Sequence, residues 1–129
     1  RGAFMINYAI VFIGAGIGGA LRHGVNLAAF RYIGPGLGYG TLIVNIVGSF
    51  LMGALAAYFA FKGQGTQHWR LFMTTGILGG FTTFSAFSLD AALLYERGEI
   101  GTAALYVAAS VVLSIAALFA GLFIVRQLT

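Results

Sequence analysis

The sequence predicts an all-α membrane protein whose chain crosses the bilayer four times, and three observations carry that prediction. Of 129 residues, 60% are hydrophobic and only 8% charged, whereas a soluble domain carries charge at roughly a quarter of its positions. The hydrophobicity runs along the whole chain rather than gathering in one anchor, so a single transmembrane domain, residues 1–129, accounts for it and no soluble catalytic domain is left over. The apolar stretches each reach about 20 residues, the length a spanning helix needs, and short breaks with turn chemistry separate them.

Four spans result, at roughly 7–30, 39–61, 70–95 and 102–125. The first is too long for a signal-peptide core and lacks a small-residue cleavage site, so it stays as a span. Arg1 to Phe4 precede Met5, read as an addition, and are set aside in counting charge. The break from Arg31 to Gly38 holds the only proline, the break from Lys62 to Trp69 holds Gly63 and Gly65, and the break from Glu96 to Gly101 holds Gly98. Lys62, Arg70, Arg97 and Arg126 flank the spans, and Trp69 falls where an interfacial aromatic belongs. Within the first span, Gly14 with Gly18 and Ala15 with Gly19 form small-x-x-x-small pairs, which let helix backbones approach closely. The third span reads Gly76-Ile77-Leu78-Gly79-Gly80-Phe81-Thr82-Thr83-Phe84-Ser85-Ala86-Phe87-Ser88. Adjacent glycines among β-branched and hydroxyl residues are poor helix formers. They predict a third helix broken near its middle, between Gly79 and Thr83, the alternative being a continuous helix with a glycine packing face.

Composition excludes several function classes. The net charge is +4, but seven basic residues spread along the chain make no patch or run for nucleic acid. Cysteine is absent, which removes disulfides, thiol catalysis and cysteine-ligated metals. His23 and His68 are not spaced with other ligands, and no phosphate-binding loop, nucleophile elbow or paired carboxylates appear. The chain therefore reads as no enzyme. Setting Arg1 aside, Lys62, Arg70 and Arg126 flank one membrane face, against Arg31 and Arg97, with Arg22 in reach, on the other. So small a bias either suffices to orient the chain or permits insertion both ways and an antiparallel homodimer.

Polar side chains inside a bilayer usually face protein or a watery path. Thr41, Asn45 and Ser49 recur every fourth residue on one face of the second span, and Thr102, Tyr106, Ser110 and Ser114 do the same on the fourth. A lone Ser or Thr commonly bonds back to its own helix, but two aligned stripes outline a path of hydroxyls and one amide with no carboxylate to repel an anion. Phe84 and Phe87 share a helical face, either as a packing pair or as rings whose electropositive edges hold a small anion beside Asn45. Arg22 lies inside the first span, where a charge costs about 2.5–3.5 kcal/mol at the bilayer centre. It either snorkels outward or makes an electropositive vestibule. Asp90 reads as a charge near a helix end.

Three of these segments together resemble one family. The Gly-x-Gly-Gly-Ala-Leu-Arg run ending at Arg22, the Gly40-Thr41-Leu42-x-Val44-Asn45-x-x-Gly48-Ser49-Phe50 segment, and Gly79-Gly80-Phe81-Thr82-Thr83-Phe84-Ser85-x-Phe87-Ser88 resemble the bacterial Fluc (CrcB) fluoride channels, in order and over nearly the whole chain. The resemblance implies a dual-topology antiparallel homodimer with two pores, passively exporting fluoride across the bacterial inner membrane and excluding chloride. Its implied pore residues are Asn45 as donor to the ion, Phe84 and Phe87 as the paired aromatics, and Tyr106, Ser110 and Ser114 as the polar track. Arg22 and Thr41 resemble vestibule positions. A structural Na+ at the dimer centre is implied to sit on the backbone carbonyls of Gly79 and Thr82. Ala86 departs from the family, where many members carry a hydroxyl. The competing class, a small dual-topology coupled exporter, needs a carboxylate in the first span, which has none.

Overall fold

The computed structural model describes residues 2–35, 38–62 and 67–128, and the regular structure among them is entirely helical. Helix α1 (Gly2–Tyr32) has 31 residues. At 1.5 Å per residue it is about 45 Å long, more than the ~30 Å hydrocarbon core, so it tilts or reaches into the headgroups. It stops at Gly34, whose φ of +124° lies where glycine is favoured, and Pro35 comes next. Helix α2 (Tyr39–Lys62) starts after Gly38, with φ +72°.

The third span is composite. Helix α3, residues 67–81, opens with an α-helical turn at Gln67–Arg70, runs as a π-helix over Leu71–Leu78 and closes at Gly79–Phe81. Thr82 (φ −87°, ψ 159°) and Thr83 (φ −153°, ψ 121°) are extended, and helix α4 (Phe84–Glu96) resumes after them. Helix α4 ends in a Schellman motif: Gly98, φ +83°, donates to the Tyr95 carbonyl and Glu99 to that of Leu94, both at 3.0 Å. Helix α5 (Ile100–Leu128) completes the chain. Four stretches, Phe4–Tyr32, Tyr39–Phe61, Gln67–Glu96 and Ile100–Leu128, are long and apolar enough to cross a membrane.

Packing pairs α1 with α3 and α2 with α5, and glycine sets both pairings. A Cβ on Gly14 would stand 2.9 Å from the Gly76 Cα and from the Phe72 carbonyl oxygen, one on Gly18 would strike the Ile77 carbonyl, and one on Gly80 would strike Ala15. Across the other pair, Gly53 lies against the Leu118 backbone and Gly121 against that of Phe50. Lipid tails are as apolar as leucine, so such close backbone contact, rather than hydrophobic burial, draws the helices together. Two small clusters form within the core: Val44, Leu78 and Phe81, and Phe87, Leu94, Ala103 and Tyr106. Between 11% and 28% of each span is buried within the subunit, so most of the apolar surface faces lipid or another copy.

These contacts separate glycines that must be small from those that need not be. Gly18→Ala should cost about 1–3 kcal/mol through overpacking. Gly19, with nothing within 4 Å of its Cβ position, should accept alanine with a gain of up to about 1 kcal/mol in helix propensity. Unfolding in detergent checks the pair, and equal stabilities would refute the packing assignment.

Candidate functional site

The site is built around Thr82 and Thr83, where backbone polar groups would otherwise lie unpaired at membrane depth, which lipid cannot remedy. The protein supplies the partners. The Thr82 N–H and hydroxyl both donate to the Leu78 carbonyl at 3.0 Å. Asn45 on α2 meets Thr83 with both ends of its amide: Oδ1 accepts from the Thr83 N–H at 2.8 Å, and Nδ2 donates to the Thr83 carbonyl at 3.0 Å. The backbone N–H can only donate and its carbonyl can only accept, so this pairing fixes which way the amide faces. It also leaves one of the two Nδ2 hydrogens unused. The Thr83 hydroxyl caps α4 by accepting from the Ala86 N–H at 3.1 Å, the role threonine commonly fills at a helix start. Two residues before Thr82, the Gly80 carbonyl accepts from Arg22 Nε at 3.1 Å.

A cavity of about 350 Å³ opens beside this junction, between α2, α4 and α5. Its wall includes Asn45, Ser49, Thr82, Thr83, Phe84, Phe87, Ser110 and Ser114, with Gly48, Met52, Val111, Ile115 and Leu118 completing it. Part of each stripe predicted on separate helices lines one space: Asn45 and Ser49 from α2, Ser110 and Ser114 from α5, without Thr41, Thr102 or Tyr106. None of the lining residues is charged. The Ser110 Oγ is buried without a hydrogen-bond partner, an arrangement native structures rarely leave unexplained. Phe84 is 77% exposed although it lies within a span, so its outer side awaits lipid or a second copy.

Tyr106 does not line this cavity. Its ring packs on Phe87, with centroids 5.5 Å apart at 34°, and Phe87 packs on Phe84 at 5.4 Å and 52°. The Tyr106 hydroxyl donates to Asp90 Oδ2 at 3.1 Å. Asp90 and the buried Thr41 belong to the wall of a second cavity of about 360 Å³, with Asn26, Gly38 and Ala86. Phe87 therefore belongs to one cavity wall while Tyr106 grips a wall residue of the other, and the two rings bridge from cavity to cavity. Of the two residues resembling vestibule positions, Thr41 lies on the second cavity and Arg22 on the Gly80 carbonyl. Gly79 is exposed, and a Cβ there would meet only the Thr74 carbonyl oxygen, at 3.7 Å.

Sequence reasoning missed Asp90, which reads as a helix-end charge and instead partners Tyr106 across two helices. Its sixteen-residue separation from Tyr106 gives no periodic signal. The π-helical stretch was equally invisible, although Thr74, Thr75 and Gly76 in a row are weak α-formers.

Chemically, the first cavity is neutral. Its hydroxyls can donate or accept and so admit an ion of either sign, but an amide N–H and aromatic edges favour an anion. Among the described residues no group of three or more His, Cys, Asp or Glu side chains could hold a metal ion.

Known proteins share this chain's sequence almost end to end. The profile of the CrcB-like protein family, also described as Camphor Resistance (CrcB), matches residues 9–122. The chain is 57% identical over 124 residues to "Fluoride-specific ion channel FluC 2" of Nitrobacter hamburgensis, covering 96% of this chain and 100% of the relative. It is 59% identical over 124 residues to "Fluoride-specific ion channel FluC" of Granulibacter bethesdensis, covering 96% and 98%. It is 52% identical over 124 residues to the protein of that name from Agrobacterium fabrum, covering 96% and 99%.

The double bond from Asn45 to Thr83 makes a prediction independent of any ligand. Asn45→Leu strands a backbone donor and acceptor, each costing about 1–3 kcal/mol when buried and unpaired. Its unfolding midpoint in detergent should fall well below that of the wild type, whereas Ser49→Ala should leave the midpoint unchanged. A fully stable Asn45→Leu protein would remove Asn45 from its structural role.

Proposed function

The chain belongs to the CrcB-like family, and we propose that this multi-pass bacterial membrane protein is a fluoride-selective channel that exports fluoride passively across the inner membrane. One observation carries the reading: Ser110, whose hydroxyl is buried and unpartnered, belongs to the wall of an uncharged cavity together with Asn45, Phe84 and Phe87. The relatives named as fluoride-specific channels support it over nearly the whole chain.

The mechanism rests on the size of the ion. Fluoride is small and strongly hydrated, so a path must replace its lost water with donors at close range while binding weakly enough to release it. Fluoride passes the rings of Tyr106 and Phe87 and moves along Phe84, the spare Asn45 N–H, Ser110 and Ser114. No full positive charge faces it in the first cavity, so no deep well holds it there. Arg22, bound to the Gly80 carbonyl, steadies the backbone that carries the two phenylalanines.

The working unit is an antiparallel homodimer with two pores. Balanced flanking charges, little burial within one copy, and exposed Phe84 and Gly79 all support a second copy on this face. The backbone carbonyls of Gly79 and Thr82 would hold a Na+ ion, which would supply a fixed positive charge at the contact between copies. A hard cation takes several oxygen ligands, one copy supplies two, and the open face at Gly79 leaves room for the partner's pair. Bound there, Na+ would fasten the two copies together without entering the path.

Purified protein in liposomes should release fluoride rapidly and chloride negligibly. Ser110→Ala should slow fluoride release by roughly 10- to 100-fold, the effect of one lost hydrogen bond to a charged group, and Phe84→Ile by at least as much. Fluoride release that neither change slows would overturn the path. Gly79→Leu should leave the subunit folded but shift size-exclusion mobility from dimer to monomer. Dimers that tolerate this change would remove the second copy from that face.

A further inference from the structure

At the opposite end of the third span, a crevice between the start of α3 and the first turns of α1 holds two adjoining compartments of opposite character. One, of about 310 Å³, is polar and walled in part by Asn7, His68 and Arg70. The other, of about 250 Å³, is apolar and lined by Ile10, His68, Trp69 and Phe72. His68 is common to both. The Trp69 and Phe72 rings meet edge to face at 6.0 Å, and Trp69 is 64% exposed. Each compartment is at or near the small end of ligand-cavity sizes, roughly 300–1000 Å³, and together they fall inside that range.

Charge decides what fits. The only carboxylate side chains of the chain are Asp90, Glu96 and Glu99, and Glu96 closes the span that Gln67 opens. The membrane face at which α1 and α3 begin and α2 and α5 end therefore carries Lys62, His68, Arg70 and Arg126 with no acidic side chain against them. Arg70 lies one turn inside its span, at the depth where a headgroup meets acyl chains. A guanidinium fork, an imidazole N–H and the Asn7 amide suit a phosphodiester. The groove of Ile10, Trp69 and Phe72 suits the first methylenes of a chain.

We infer that this crevice seats one anionic phospholipid per subunit, its phosphate on His68 and Arg70 and one acyl chain along Trp69 and Phe72. A cationic residue that merely snorkels would attract anionic lipid without a seat for its tail. The inference does not depend on what the protein conducts.

Native mass spectrometry tests it on full-length protein released from vesicles of equal phosphatidylglycerol and phosphatidylcholine. The wild type should retain phosphatidylglycerol in preference. His68→Gln with Arg70→Gln should lower that retention roughly tenfold, as expected for a lost charge-assisted contact, with circular dichroism unchanged. Arg126→Gln, on the same face but away from the crevice, should retain it. Equal retention of the two lipids, or equal loss in Arg126→Gln, would overturn the seat. Displacement by excess inorganic phosphate would make it a free-anion site. Loss of the dimer without loss of lipid would give the face to a second copy. If the double variant fails to fold, the wild-type lipid preference and the phosphate competition decide the question.

Discussion

A peptide bond in hydrocarbon has no water to turn to, and the geometry of this protein is organised around the place where that matters most. At Thr82 and Thr83 the backbone turns extended, and the Thr83 N–H leaves the helical ladder. Asn45 then stands in for the missing rungs, giving Thr83 both an acceptor and a donor. The two bonds do more than satisfy polar groups. They attach the third span to α2 at the level where Phe84 and Phe87 leave the backbone, so the cavity, its polar wall and its aromatic rim inherit their positions from one amide. Arg22 adds a hold from the other side, through the Gly80 carbonyl.

The rest of the packing keeps that junction in place. Glycine contacts bring α1 within backbone distance of α3, and α2 within backbone distance of α5. The third span is thereby held on one side by α1 and met on the other by Asn45, while α5 brings Ser110 and Ser114 opposite Asn45 and Ser49. A structure with so little buried within one subunit cannot rely on a large core to resist change. It relies on a few contacts with no tolerance for an added methyl group.

How far the amino-acid sequence discloses this arrangement depends on the range of each interaction. Four apolar helices are legible because length and composition alone dictate them. The faces bearing Asn45 and Ser49, and Ser110 and Ser114, are legible because a four-residue spacing is local geometry. Which face meets which is not: the stripes converge because α2 packs more extensively on α5 than on α1, and no periodicity records that choice. The same holds for Asn45, whose amide is shared between the cavity and the backbone of Thr83, thirty-eight residues away. The carboxylate of Asp90 depended on a tyrosine from the next helix to declare itself. The resemblance to a family points to individual residues without giving their contacts.

The π-helical stretch from Leu71 to Leu78 bears on how such a chain can change length. The third span has 30 residues, beside 29, 23 and 29 in the others, so its length alone does not mark it out. A π-helix bonds each N–H to a carbonyl five residues back rather than four, so it stores residues as slack. Dropping one residue ahead of Gly76 trades the wider turn for an ordinary one and leaves the rest of the span in phase. The same deletion between Gly76 and Gly80 would swing everything beyond it by about 100°, one residue's share of a 3.6-residue turn, and carry Gly80 away from Ala15. The first turns of this span can therefore take up a change of length that its glycine-packed middle cannot.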